Sequence, residues 1–152
     1  MWWTFRTPDT AFTNLTIFIG DCANSAAATT EPTDGVYLWQ TAGTSTFGFK
    51  TANASVRTTG TTVTLAVSTW YAASIEYDAA RTSVTCTLYN GDTGAVILTQ
   101  NITTNLPSSS TVLYPRANVS TSAAVAKAQA LDIDLVQLRL GGPASPLVRA
   151  NP

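Results

Sequence analysis

Every second residue is apolar along most of this chain, and the spacing of three to four that builds a helical face is nearly absent. A period of two sends alternate side chains to opposite sides of an extended backbone, so each such run reads as a strand with one buried face. Tyr71, Ala73, Ile75 and Tyr77 fall on one side of a strand, Asp78-Ala79-Ala80-Arg81 turns the chain, and Val84, Cys86 and Leu88 continue the apolar face. That pattern predicts a hairpin. Asn90-Gly91-Asp92-Thr93-Gly94 supplies a second turn, and Ala95 to Thr99 extends the meander by one strand, because Asn, Asp and Gly tolerate the backbone of tight turns. Gly35 to Gln40 and Thr46 to Lys50, joined by Thr41 to Ser45 with Gly43 among them, form another antiparallel pair.

Shorter runs complete the set. Trp2 to Arg6 stops at Thr7-Pro8-Asp9-Thr10, and Leu15 to Ile19 ends at Gly20-Asp21. Asn24 to Asp34, rich in Ala, Thr and Ser with Pro32 among them, reads as an exposed loop. Strands are expected at Ala54 to Arg57 and at Thr62 to Val67, broken at Gly60. Thr111 to Tyr114 and Arg116 to Val119 read as one strand interrupted by Pro115, which suits an edge because proline has no ladder donor. Ser122 to Ala130 has helix propensity but no large apolar side chains, so a loop or one short helical turn is expected. In the last strand Leu131, Ile133 and Leu135 alternate with Asp132 and Asp134, after which the apolar phase passes to Val136, Leu138 and Leu140. A β-bulge at Leu135-Val136 would absorb that slip.

About ten short strands with turn signals roughly every 8 to 12 residues predict an all-β, two-sheet antiparallel sandwich. The 152 residues suffice for one core, which buries roughly two-thirds of the surface the unfolded chain would expose. Residues 1–140 are assigned to the sandwich and 141–152 to a Pro-rich tail too poor in bulk to fold alone. Charged residues make up only 11% of the chain and the net charge is −1. No basic run exists to release counterions, so no nucleic-acid partner is expected. Apolar stretches fall well short of the about 20 residues that cross a bilayer, and Met1-Trp2-Trp3 lacks a signal-peptide layout, so no membrane partner and no export are expected.

The order of the runs resembles the concanavalin A-like jelly-roll superfamily, and more narrowly the laminin-G-like or lectin-like modules of tailed-bacteriophage structural proteins. Four segments carry the likeness: Phe18-Ile19-Gly20-Asp21, Thr33-Asp34-Gly35-Val36-Tyr37, Trp70 to Asp78 followed by Tyr89-Asn90-Gly91, and Leu131 to Arg139. The resemblance implies a jelly roll and a place on a virion, as a capsid decoration or tail-fibre module whose partners are viral capsid or fibre proteins and further copies of itself. Such modules carry another strand before the position where this chain starts, so Trp2 to Arg6 is expected to be a sheet edge awaiting a partner.

Candidate sites follow from residue chemistry. The chain has no histidine, which removes Ser-His and Cys-His nucleophiles and imidazole metal sites. The superfamily also contains glycan hydrolases, which pair two carboxylates across a glycosidic bond. Here Glu31 sits in the expected loop, Glu76 stands alone, and Asp132 with Asp134 reads as the solvent face of an amphipathic strand. No catalytic residues are expected. Asn90, Asp92 and Asp34 could offer oxygens to calcium, but their spacing matches no fixed loop and turn chemistry accounts for them, so no metal and no cofactor is expected. Cys22 and Cys86 read as free thiols. Asn14, Asn53, Asn101 and Asn118 start glycosylation sequons that a Thr-rich chain carries by chance.

The aromatics remain. Tyr37, Trp39, Trp70 and Tyr89 are the candidate glycan platform, which gives the alternative function of a lectin-like attachment module. Tyr37 and Trp39 lie opposite Val36 and Leu38 in phase, and Trp2 and Trp3 face opposite ways, so both strands are apolar on two faces. Trp2, Trp3, Pro143 and Pro146 are therefore the candidate assembly surface.

Overall fold

A computed structural model describes residues 1–9, 12–13, 15–23, 31–121 and 132–137. Its ten strands are β1 (Trp2–Arg6), β2 (Leu15–Cys22), β3 (Gly35–Gln40), β4 (Thr46–Asn53), β5 (Val56–Thr64), β6 (Trp70–Tyr77), β7 (Val84–Asn90), β8 (Val96–Ile102), β9 (Tyr114–Thr121) and β10 (Asp132–Gln137). They form two five-stranded antiparallel sheets, sheet A in the order β10-β1-β6-β7-β8 and sheet B in the order β5-β4-β3-β2-β9. The chain is an all-β sandwich, and no helix occurs among the described residues. Asn14, Asn24 to Thr30, Ser122 to Leu131 and everything from Leu138 onward, including Pro143 and Pro146, lie outside the described residues.

The alternation read from sequence is what closes the two sheets on each other. Phe5 of β1, Ile75 of β6 and Leu88 of β7 project from sheet A onto Ile17 and Ile19 of β2, Leu38 of β3 and Phe47 and Phe49 of β4, all at 0–1% exposure. Each such side chain contributes about 1.5–3 kcal/mol through removal from water. The β6–β7 hairpin has the expected partners, from Tyr71 with Asn90 to Tyr77 with Val84. Its turn is held by Asp78, whose carboxylate accepts the Thr82 and Ser83 N–H groups and the Thr82 hydroxyl at 2.7–3.0 Å.

Three sequence expectations are corrected. β1 is not an edge: it lies between β10 and β6, pairing Trp3 with Val136 on one side and Ala73 on the other. Alternation reveals which face a residue takes but not what lies beside its strand. The two strands expected on either side of Gly60 are one, because a register shift between Gly48 and Lys50 of β4 absorbs an extra residue of β5 there. Ala54 begins no strand; with Ser55 it makes the tight β4–β5 turn, at φ of 48° and 68°. That backbone is costly for residues with a Cβ, and Asp34 supports it by accepting the Ala54 N–H at 2.9 Å while Ser55 N–H donates to Thr33 O at 2.8 Å.

The bulge expected near the chain's end is present one position earlier than the phase slip implied. Thr4 faces Leu135 and Phe5 faces Ile133, so Asp134 is the extra residue. Pro115 lies in β9, at the edge of sheet B, where no donor is lost.

Candidate functional site

Sheet B has a second apolar layer on the side away from the core. Phe18 and Cys22 of β2, Tyr37 of β3 and Ala52 of β4 are buried there, with Trp39 packed against them. The rows of this face follow from the register: Tyr37 stands between Gly20 and Lys50, and Trp39 stands between Phe18 and Gly48. The glycines make room for the rings. A Cβ on Gly20 would come within 2.8 Å of Tyr37 Cβ and 2.3 Å of Val36 O, so no other residue fits.

Glu31 crosses this layer and ties it down. Its carboxylate receives Lys50 Nζ at 2.8 Å and the Tyr37 hydroxyl at 3.2 Å. Arg57 Nε of β5 lies 3.0 Å away, an ion pair without hydrogen-bond alignment. The Arg57 guanidinium also donates to the carbonyls of Glu31 and Pro32. The segment Glu31–Asp34 is a loop, as expected, but it is fastened across the sheet: Pro32 is buried, Glu31 and Asp34 are half-buried, and only Thr33 of the four is exposed. Sequence periodicity could not place Glu31, though a lone lysine in the apolar strand Thr46–Asn53 does call for an anion.

The four platform aromatics do not converge. Tyr37 and Trp39 belong to the outer layer of sheet B, whereas Trp70 and Tyr89 alternate with the core residues Tyr71 and Leu88 and therefore face outward from sheet A. Tyr37 is wholly buried, and desolvation followed by the charge of Glu31 pushes its phenol well above the usual range. Trp39 offers a sugar at most one ring face, since Lys50 Nζ sits 3.5 Å over the other. Tyr89 stacks on Trp2 with centroids 5.2 Å apart. Trp2 and Trp3 are 2% and 3% exposed, Trp3 in the main core, so neither presents an assembly surface. Trp3 faces the core and Trp2 the opposite side of the sheet, stacked on Tyr89, which accounts for their two-faced apolar pattern.

Several titratable groups hold turns and ion pairs. Asn90 Oδ1 accepts the Asp92 and Thr93 N–H groups and the Thr93 hydroxyl at 2.9–3.0 Å, so Asn90-Gly91-Asp92 is a turn built on its own side chain. Asp9 pairs with Arg6 at 2.7 Å and accepts Ser68 Oγ at 2.8 Å. Asp21 is buried at the inner end of β2, where desolvation pushes its carboxyl up and the N-terminal ammonium partly offsets that. Glu76 is exposed. The side chains of Asp132 and Asp134 lie outside the described residues. Among the described residues no three His, Cys, Asp or Glu side chains group to hold a metal. Cys22 and Cys86 are free and buried, one in the outer layer of sheet B and one in the core, and burial pushes both thiols to about 12.

Two concavities among the described residues lie at sheet edges. A cleft of about 280 Å³ lies at the β9 edge among Cys22, Ala23, Tyr114, Pro115 and Arg116, with Tyr114 at its rim 55% exposed and Val112 64% exposed just before it. A groove of about 370 Å³ opens between the edge strands β5 and β8, where Thr, Asn and Gln side chains dominate. No described helix is long and apolar enough to cross a membrane. A family model described as "SO2946-like, C-terminal domain" matches residues 1–134. No curated protein and no solved structure matches the chain.

Proposed function

The chain belongs to the SO2946-like C-terminal domain family. We propose, from the arrangement of its sheet edges, that it is a non-enzymatic structural module of a virion. In this reading it is a concanavalin A-like jelly roll that docks on capsid or fibre proteins and on copies of itself. The observation that carries the reading is the β9 edge of sheet B, where Val112 and Tyr114 stand 64% and 55% exposed beside a cleft. Exposed large apolar groups at a strand edge cost solvation unless something covers them. The weak net charge of −1 places little repulsion between copies. Against the catalytic alternative, Glu31, Asp9, Asp34 and Asp78 each hold a turn, a strap or an ion pair.

The test is to raise antibodies against the purified chain and look for gold label on intact viral particles from the source strain by electron microscopy. Particle-bound label, and failure of Tyr114→Asp protein to add to particles made without the chain, supports the reading. Particles free of label contradict it.

A further inference from the structure

We propose that two copies of this chain join their β9 edges antiparallel about a two-fold axis, so that sheet B runs unbroken through both. The inference rests on the reading of β9 as an assembly edge and gives that edge its partner and its register. The ladder shows which backbone groups β9 has left over. Ala23 N–H donates to Asp34 O at 2.8 Å, next to the Cys22–Gly35 pair, so the odd residues of β2 turn their polar groups to β3 and the even ones turn theirs to β9. The β9 partners of those even residues are Tyr114, Arg116, Asn118 and Ser120. The N–H groups of Ala117, Val119 and Thr121 therefore point out from the sheet edge, and Pro115, which has none, takes the same side. Such a row of unspent donors is a template for another strand.

The fold selects a second copy as the source of that strand. Sheet B has two edges, and β5 is tied to β8 of sheet A: Gln100 Nε2 donates to Thr61 O, and the Thr58 and Thr104 hydroxyls lie 2.7 Å apart. With that side fastened, each copy offers only β9 from sheet B among the described residues, and an edge that pairs with itself closes after two chains. Setting Ala117 opposite Val119 of the second copy, with the axis at Asn118, gives the longest overlap in which every outward donor meets an acceptor. Ala117 N–H meets Val119 O, Val119 N–H meets Ala117 O, and Thr121 N–H meets Pro115 O, so proline stands where only its carbonyl is called on. Ala117 is exposed, and this register brings its Cβ to about 5 Å from that of Val119 in the second copy. Tyr114, 55% exposed, reaches diagonally over the second copy's Ser120. Strand β9 has 8 residues; at about 3.4 Å each, along a sandwich side about 20 Å deep, the contact covers roughly 500 Å² per copy. The total of roughly 1,000 Å² meets the lower bound of a specific interface, which corresponds to a Kd on the order of 10 μM.

Sedimentation equilibrium and amide hydrogen exchange of the full chain test this together, at concentrations from about 1 μM to about 300 μM. The mass is expected to rise from 16.0 kDa to twice that and no further. Over the same range the Ala117 and Val119 amides should exchange at least about tenfold more slowly, whereas those of Arg116 and Asn118, bonded to β2, should be protected throughout. Ala117→Pro removes an edge donor and spares the ladder to β2, so it is expected to weaken the dimer at least about tenfold while the chain stays folded by circular dichroism. The exchange measurement needs no variant and decides the matter if that one misfolds. A chain that remains single, one that grows beyond two copies, a dimer whose Ala117 and Val119 amides exchange equally fast at both ends of the range, or a folded Ala117→Pro protein that pairs like the wild type would each overturn the proposal. Docking on particles is read separately by gold label: labelled particles with a single chain in solution sink the β9 pairing alone, and a β9-paired dimer with unlabelled particles sinks the virion reading alone.

Discussion

Removing the charge of Glu31 tests the account of the outer layer of sheet B. Glu31→Gln keeps the size of the side chain and leaves an oxygen for the Tyr37 hydroxyl, but it strands Lys50 and Arg57. The Lys50 side chain is 9% exposed and Glu31 26%, so their pair lies between a buried one, whose breakage costs about 3–5 kcal/mol, and a surface pair worth about 0.2–1 kcal/mol. We take about 2 kcal/mol for it, and about 0.5 kcal/mol for the pair with Arg57, whose side chain is 29% exposed. A loss of about 2.5 kcal/mol lowers Tm by roughly 5–10 °C in a chain of this length. Urea unfolding followed by tryptophan fluorescence gives the value directly, and a cycle with Lys50→Met should return a coupling of about 1–2 kcal/mol. The deficit should persist in 1 M salt, because burial limits screening. A loss under about 0.5 kcal/mol, or no coupling, would refute the fastening of Glu31 across the sheet.

Other outcomes follow from the same structure. Asp21→Asn should raise stability at pH 7: burial raises the folded-state pKa, so the folded protein binds the proton more tightly, and the ionised carboxylate costs stability above that pKa. The gain should shrink as pH falls through the folded-state value and vanish below the unfolded-state one, which unfolding at pH 7 and pH 3 would show. Asp78 has the opposite sign: hydrogen bonds from Thr82, then Ser83, hold its carboxyl below the usual range. Asp78→Ala should therefore lower Tm at neutral pH, with the deficit closing as the wild-type carboxylate protonates in acid. Both cysteines should resist a thiol reagent until the chain unfolds, and a reductant should leave Tm unchanged; rapid native labelling of either would contradict their burial.

The sequence made the sandwich legible where alternation and turn chemistry agree. The β6–β7 hairpin has both signals in Tyr71 to Tyr77 and Asp78, and the β3–β4 hairpin was equally plain. The β4–β5 turn was hidden because Ala54 and Ser55 are not the Gly or Asn that a left-handed backbone usually requires, and its support comes from Asp34, 20 residues away. Two-faced apolar strands were visible, but not their cause. For Trp2 and Trp3 it is packing on opposite faces, Trp2 on Tyr89 and Trp3 in the core, and for Tyr37 and Trp39 a second layer under the Glu31 strap. The β5–β8 groove escaped because its walls are 39 to 47 residues apart and joined by side-chain hydrogen bonds.

Self-assembly through the β9 edge shows in the solution mass of the chain. Multi-angle light scattering of the wild type should give a defined multiple of 16.0 kDa, which Tyr114→Asp should reduce to the single-chain mass. A wild type that stays at 16.0 kDa across the accessible concentration range would contradict self-assembly through the β9 edge.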